Sequence, residues 1–180
     1  MARMVTLTLL LALSGLAVGQ GDRAPQSDGP RLAQAPAPAP PGNSFRRCSA
    51  GFSVRKATSA TSTLRNSRAT RIRFQDVLTR EGGWSPSESD FLAPCRGLYY
   101  FSFHGVAQDR GDFTLALMKN GQYQVTAYGG KGNYQQGSNS ALLLLNEGDL
   151  VHLELQQGGL YEHPNNEAYT SFTGFLVEAF

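Results

Sequence analysis

The sequence predicts an all-β protein, an antiparallel β-sandwich of eight or more short strands whose simplest topology is a jelly roll. Three observations lead to this fold class. Short apolar segments recur after about residue 45, and Gly, Asn, Asp or Pro separate them. Aromatic residues make up 10% of the chain and 20 of its 180 residues are Gly, a composition that favours strands and turns. The segment nearest to a helix, Ser87–Phe91, is too short to form a stable one.

The first residues of the chain have the parts of a secretory signal peptide. Arg3 supplies a positive charge, the stretch 5–13 is apolar apart from threonines, and small residues stand at Ala17 and Gly19. This apolar stretch is shorter than the roughly 20 residues that cross a bilayer, and no later apolar run reaches that length. The sequence therefore predicts a signal peptide over residues 1–19, no membrane span, and a secreted, extracellular protein.

A proline- and alanine-rich segment follows over residues 20–45. It holds six of the nine prolines and includes AQAPAPAPPG, which disfavours a helix and offers no apolar face. We expect a semi-rigid linker with polyproline II character; a ligand for a proline-binding domain is the alternative. The segment has no Gly-X-Y period, so it is not a collagen stalk. Residues 46–180 then form one folded domain of ordinary size.

Period-two alternation of apolar residues predicts four strands that each bury one face. The apolar residues of these faces are, in chain order, Ile72 and Phe74; Tyr99, Phe101 and Phe103; Phe113, Leu115 and Leu117; and Val151, Leu153 and Leu155. The dipeptide Asn120-Gly121 follows the third of these strands and is typical of a two-residue hairpin turn, which leads into a further strand over Tyr123–Tyr128.

Three more strands are predicted from other patterns. Ser140–Asn146 is apolar almost throughout, as expected of a strand that is covered on both sides. Residues 170–177 read as the final strand. The segment Phe52–Arg55 is short, and we expect it at the edge of a sheet.

The predicted secretion determines the chemistry expected of the two cysteines, Cys48 and Cys95. An oxidising compartment favours a disulfide, and two cysteines are too few for a four-thiolate zinc site. A bridge between them would close a loop of roughly 50 residues and contribute about 3–4 kcal/mol in the chain-entropy estimate. Disulfides between separate chains are the alternative.

Six residues follow the spacing W-x6-F-x5-G-x-Y-x-F-x-F, namely Trp84, Phe91, Gly97, Tyr99, Phe101 and Phe103. Five further motifs occur in order: FLAP at 91–94, LMKNG at 117–121, SNSA at 138–141, EGDLV at 147–151, and SFTGFL at 171–176 with Phe172 and Gly174. This set resembles the signature of the complement C1q globular-head family, which includes cerebellins, collagen-tailed adipokines and multimerins. The resemblance runs from about residue 52 to residue 180.

The resemblance implies a jelly roll of about ten strands, shared with tumour necrosis factor ligands, that assembles as a trimer. The sequence agrees with this, because Tyr100, Leu150 and Phe175 lie opposite the main apolar stripe of their strands. Surplus apolar surface of this kind is often buried between subunits. The cysteine positions resemble those of some adipokine-like members, which supports a Cys48–Cys95 bridge within the chain.

One departure from the family pattern concerns metal binding. Some members bind calcium through an aspartate just before the SNSA-like segment, and this sequence has Gln135 at that position. A neutral amide is a poor replacement for a carboxylate ligand of calcium. We therefore expect no calcium site and no other cofactor.

Catalytic and anion-binding signals are weak. The sequence has no nucleophile elbow, no zinc-protease motif and no phosphate-binding glycine loop, so we expect no enzymatic activity. His104 and His152 read as packed or surface residues of strands, and the polar loop 161–167 as a solvated turn that could contact a partner or a metal. A net charge of +2 argues against nucleic acid, although Arg65, Arg68, Arg71 and Arg73 form a candidate patch for an anionic ligand.

The predicted function is that of a secreted, non-enzymatic homotrimeric binding module, an extracellular signalling ligand for a cell-surface receptor. Three weak contacts on one particle raise avidity without new chemistry. Two alternatives stay open. One is a soluble, lectin-like pattern-recognition protein of innate immunity, with a glycan as its ligand. The other is an extracellular matrix component held in a disulfide-linked network.

Overall fold

The computed structural model describes residues 48–56, 68–162 and 167–180. The predicted signal peptide and linker, residues 1–45, lie outside the described residues, and so do Arg65 and His163. The strands, numbered in chain order, are β1 (Gly51–Arg55), β2 (Thr70–Arg71), β3 (Asp76–Glu81), β4 (Trp84–Ser85), β5 (Asp90–Leu92), β6 (Gly97–Val106), β7 (Phe113–Lys119), β8 (Gln122–Gly129), β9 (Gln136–Leu145), β10 (Leu150–Gly158) and β11 (Ser171–Ala179).

These strands form two antiparallel sheets that enclose one apolar core. The five-stranded sheet has the order β3-β1-β11-β6-β9. The six-stranded sheet has the order β4-β5-β10-β7-β8, and β2 pairs with β10 beside it. No helix occurs in the described ranges, and the all-β sandwich that the sequence predicts is confirmed.

Aromatic rings from both sheets fill the middle of the core. Phe52 of the five-stranded sheet stacks on Trp84 of the six-stranded sheet, with 4.4 Å between ring centroids. Phe52 also contacts Phe172 edge-on at 4.9 Å, and Phe91 meets Phe101 at 5.7 Å. Edge-on and stacked pairs of this kind add to the free energy gained by burial. All six aromatic residues of the sequence signature are buried: Trp84, Phe91, Tyr99, Phe101, Phe103 and Phe172.

The two signature glycines lie where a side chain would not fit. A Cβ atom on Gly97 would collide with the carbonyl oxygen of Glu178 on the neighbouring strand. A Cβ atom on Gly174 would collide with the rings of Phe101 and Phe52. Gly97 therefore permits the close approach of β6 to β11, and Gly174 leaves the space that the rings of Phe101 and Phe52 occupy.

The predicted hairpin turn and disulfide are both present. Asn120 and Gly121 join β7 to β8 with φ angles of 50° and 75°, in the left-handed region that this turn requires. Cys48 and Cys95 form a disulfide that ties the segment before β1 to the turn before β6. Tyr99 donates a 2.8 Å hydrogen bond to the Cys95 carbonyl and so fixes the same turn from the core side.

Two strand predictions are wrong in detail. β1 does not lie at an edge, because β3 pairs with its outer side and becomes the edge strand. Ile72 and Phe74 are buried as expected, but the strand ends at Arg71. The reason is topological: β2 belongs to the six-stranded sheet and β3 to the five-stranded sheet, so residues 72–75 cross between the sheets.

Candidate functional site

A contiguous, partly exposed apolar surface of the five-stranded sheet lies on the side away from the core. We call it the outer patch; it consists of Leu98, Tyr100, Leu142, Leu144, Phe175 and Val177. Cross-strand pairing aligns it, because Phe175, Tyr100 and Leu142 stand opposite one another on β11, β6 and β9. The rings of Tyr100 and Phe175 are in contact at 5.4 Å between centroids.

The exposure of the outer patch departs from the sequence prediction. Leu142 is 55% exposed, Leu144 51%, Val177 53% and Phe175 44%. The prediction that Ser140–Asn146 is covered on both sides is therefore wrong for a single subunit. Isolated surface hydrophobics are common, but a contiguous apolar patch across neighbouring strands is typical of an interaction surface.

The same face is polar towards the other end of the strands. Ser102 pairs with Thr173 and with Ser140 on the two neighbouring strands, and Ser53 and Thr173 share a hydrogen bond of 3.0 Å. His104 lies further along β6 and is exposed. A face that is apolar at one end and polar at the other can bury surface and still satisfy its hydrogen-bonding groups.

Leu150 is the third residue that the sequence predicts on a surplus apolar surface, and it lies on the other sheet. It is half-buried on the six-stranded sheet, where it pairs with Leu92. It therefore does not contribute to the outer patch.

Two arginines of the candidate anionic-ligand patch, Arg71 and Arg73, contact acidic side chains. Arg71 pairs with Asp90 at 2.9 Å between Nη1 and Oδ2. Arg73 donates to the Ser87 carbonyl at 2.8 Å and approaches the Glu88 carboxylate at 3.4 Å. Arg68 is exposed. Arg71 and Arg73 thus tie the connection before β3 to the turn before β5, and their charges are offset locally.

A cluster of three tyrosines lies at one end of the domain, around a cavity of about 340 Å³. Tyr134 precedes β9, Tyr161 follows β10, and Tyr169 precedes β11. The ring centroids of Tyr134 and Tyr161 are 4.5 Å apart, and those of Tyr161 and Tyr169 are 5.7 Å apart. The sequence indicated the loop of Tyr161 as a possible contact but not Tyr134 or Tyr169, because the spacing of these residues along the chain follows no pattern.

Two carboxylates near this end have different environments. Glu162 accepts a 2.9 Å hydrogen bond from Thr170, and burial raises the pKa of its carboxyl group, with the hydrogen bond and Lys56 acting in the opposite direction. Glu167 accepts a 2.6 Å hydrogen bond from the Tyr169 hydroxyl, which raises the pKa of that tyrosine. The two carboxylates thus accept hydrogen bonds from different residues, Thr170 and Tyr169.

Metal-binding and histidine chemistry can be assessed for the residues that the structure describes. Within them, no group of three or more His, Cys, Asp or Glu side chains could hold a metal ion. His152 is buried and its Nε2 lies 2.9 Å from Glu154 Oε1, which gives it a packing role in β10. The carbonyl oxygen of Gln135 accepts a hydrogen bond from Ala107, a contact that any residue could make.

The family model of the C1q domain matches residues 51–177, which include both sheets and the outer patch. This chain belongs to the C1q domain family. The signature residues in the core belong to this C1q domain, and the resemblance predicted from the sequence is confirmed.

A known protein of this family is similar to the chain in sequence. The chain is 32% identical over 139 residues to complement C1q tumor necrosis factor-related protein 2 of Mus musculus, which covers 73% of this chain and 47% of the mouse protein. The chain therefore spans about half the length of that C1q-domain relative.

Solved structures confirm the jelly-roll fold. The globular domain of zebrafish complement 1qA protein is 24% identical, with a TM-score of 0.56 over 73% of this chain and 99% of the zebrafish chain. Murine APRIL, in its crystal structure at pH 8.5, is 12% identical, with a TM-score of 0.51 over 72% of this chain and 100% of its own. No helix in the described part of this C1q-domain chain is long and apolar enough to cross a membrane.

Proposed function

We propose that this C1q-domain chain is a secreted, non-enzymatic binding protein that assembles as a homotrimer and acts as a signalling ligand for a cell-surface receptor. The observation that carries the proposal is the outer patch. It gives every copy of the chain the same apolar surface on three neighbouring strands, β11, β6 and β9, whereas receptor contacts more often lie on loops. The trimer itself follows from the resemblance to C1q globular heads.

The outer patch can supply the free energy of such an assembly. Leu142, Leu144, Phe175 and Val177 are each about half exposed in the single subunit. Burying the exposed part of each would contribute about 1 kcal/mol per side chain and per subunit. Tyr100 and the serines and threonines of the same face can hydrogen-bond at the interface. The strand 140–146 would then be covered on both sides, by the core and by a neighbouring subunit.

The proposed trimer would explain how the protein acts without catalysis. Three identical loop ends on one particle would contact receptors together, and the second and third contacts would form at high effective concentration. Host-cell labelling at low concentration, lost on competition with unlabelled protein, would support a signalling ligand. Binding to immobilised glycans instead would support the lectin-like alternative.

The disulfide argues against a matrix network. The chain has two cysteines, and both are used in the Cys48–Cys95 bridge. No cysteine is left for a link between chains. A disulfide-linked multimer would therefore require this bridge to open.

The test of the assembly is the absolute mass of the secreted protein, measured by light scattering with and without reductant and with and without a calcium chelator. We expect three times the mass of one mature chain under every condition. Leu142→Asp should yield folded monomer, because it places a charge in the outer patch. Leu92→Asp is the matched control; Leu92 is 49% exposed but lies on the six-stranded sheet, so the trimer should persist. A monomeric wild-type protein would refute the proposal.

A further inference from the structure

The chain contains one Asn-Gly sequence, Asn120-Gly121, at the exposed turn between β7 and β8. Asn-Gly is the dipeptide most prone to deamidation, because glycine has no side chain to hinder attack by its backbone nitrogen on the asparagine side chain. Among the described residues, and apart from the chain neighbours, no atom lies within 4 Å of the position that a Cβ atom of Gly121 would occupy. Steric hindrance therefore does not protect this site.

Deamidation requires the Asn120 side chain to turn towards the backbone nitrogen of Gly121. This nitrogen attacks the Asn120 Cγ atom, the new C–N bond closes a five-membered succinimide, and Nδ2 leaves as ammonia with the proton of the Gly121 N–H. Water then breaks one C–N bond of the ring: breaking the bond to Cγ gives aspartate, and breaking the bond to the main-chain carbonyl carbon gives isoaspartate. A contact that holds the side-chain amide in another position therefore slows the first step.

In the folded domain the Asn120 side chain is held at both of its polar atoms. Nδ2 donates a 2.8 Å hydrogen bond to Asp149 Oδ1, and Oδ1 accepts a 2.8 Å hydrogen bond from the Leu150 N–H. The backbone N–H of Asn120 also donates to the Leu150 carbonyl oxygen at 2.8 Å, which fixes the main chain at the same place. Asp149 is fixed in turn by a 3.0 Å ion pair with Lys119. Ring closure has to break both side-chain hydrogen bonds, and one of them has a charged acceptor.

We propose that Asn120 is a latent deamidation site, which its contact with Asp149 and Leu150 keeps closed in the folded domain. Deamidation after a local opening releases the contact permanently. In the product a carboxylate replaces the Nδ2 donor and faces the Asp149 carboxylate, so the two like charges repel each other where a hydrogen bond was. The β7–β8 turn is then no longer held to the start of β10. This modification does not depend on the proposed trimer, because every group involved belongs to one subunit.

The experiment incubates the full-length secreted protein at neutral pH and body temperature, and mass spectrometry of its proteolytic fragments follows the deamidation of Asn120. The reference is an acetylated, amidated peptide of residues 117–123, Leu-Met-Lys-Asn-Gly-Gln-Tyr, which has the same sequence without the fold. We expect the protein to react about a hundredfold more slowly than the peptide, because two hydrogen bonds have to break first. Equal rates in the protein and the peptide would overturn the proposal.

Three variants locate the protection. Asp149→Ala removes the acceptor of Nδ2 and should speed the deamidation of Asn120 about tenfold. Asp149→Asn keeps an acceptor oxygen without the charge, and its rate should lie between those of the wild type and Asp149→Ala. Val54→Ala is the control for stability, because Val54 is fully buried in β1 and its truncation destabilises the domain without touching the turn, so the rate should be that of the wild type. An equal acceleration in Val54→Ala and Asp149→Ala would mean that the reaction follows global unfolding, contrary to the proposal.

A fourth variant tests the consequence of the modification. Asn120→Asp reproduces the aspartate product, and we expect it to have a lower Tm than the wild type, because two carboxylates then meet at the start of β10. The deamidated fraction of the incubated wild-type protein, separated by ion-exchange chromatography, should show the same lower Tm. A Tm equal to that of the wild type in both samples would refute the release of the contact.

Discussion

The Asn120 side-chain amide donates a 2.8 Å hydrogen bond to Asp149 Oδ1, across a separation of 29 residues in the sequence. The Asn120 side-chain oxygen in turn accepts a 2.8 Å hydrogen bond from the backbone N–H of Leu150. Lys119 completes the contact with an ion pair to Asp149 at 3.0 Å. Two separate family motifs, LMKNG and EGDLV, thus meet in space and join the β7–β8 turn to the start of β10.

Replacing Asn120 should show how much this contact contributes. Asn120→Ala leaves the Leu150 N–H and the Asp149 carboxylate without this partner and puts alanine at a φ of 50°. We expect a loss of about 1–3 kcal/mol in the free energy of unfolding, measured by urea denaturation. Asn120→Gly restores the turn conformation and not the hydrogen bonds, so it should be less destabilising than Asn120→Ala. Equal losses would mean that the left-handed backbone contributes nothing and that the whole loss comes from the side-chain hydrogen bonds.

The stability of the domain should depend on pH through Asp149. The hydrogen bonds from Asn120 and from the Asn146 N–H, helped by Lys119, hold the pKa of Asp149 below its ordinary value. Since the folded pKa is lowered, the stabilisation is complete above the unfolded pKa of about 3.9 and is lost as the pH falls through the folded pKa. Asp149→Ala should therefore cost about 1–3 kcal/mol at neutral pH and less below about pH 4. A difference between the two proteins that stays constant from neutral to acid pH would contradict this assignment.

The close contact between Gly174 and the aromatic core predicts a large effect of one methyl group. Gly174→Ala would push its Cβ into the rings of Phe101 and Phe52, which are packed on all sides. We expect a loss of about 1–3 kcal/mol or more, and reduced yield of secreted protein. Gly51→Ala is the control on the adjacent strand, because a Cβ there meets its nearest atom at an ordinary 3.5 Å. Thermal unfolding of both variants should show a lower Tm only for Gly174→Ala.

The core residues could be predicted from the sequence because they follow a local pattern along each strand. In a strand that faces the core on one side, every second residue must be apolar, and Tyr99, Phe101 and Phe103 show this pattern and are fully buried. The hairpin at Asn120 and Gly121 was predictable for the same reason, since two adjacent residues determine the turn.

The structural features that could not be predicted from the sequence depend on residues that are far apart in the chain. The apolar run that includes Leu142 and Leu144 does not reveal what covers the second face of its strand. That face could meet another sheet, another subunit or water with the same sequence. Ile72 is buried outside a strand because the chain crosses from one sheet to the other there. A buried position favours an apolar residue whether it lies in a strand or in such a crossing. Tyr134 joins Tyr161 and Tyr169 only through the fold, and no spacing in the sequence connects them.

The disulfide yields the last prediction, which separates stability from assembly. Replacing both Cys48 and Cys95 with serine releases a link between positions 47 residues apart, which should lower the free energy of unfolding by about 3–4 kcal/mol. The mass of the assembled protein should not change, because neither cysteine lies in the outer patch and the bridge is within one chain. Urea denaturation and light scattering on the same double variant measure the two quantities independently. A loss of assembly without a loss of stability would show that the bridge serves the subunit contact, contrary to its place between β1 and β6.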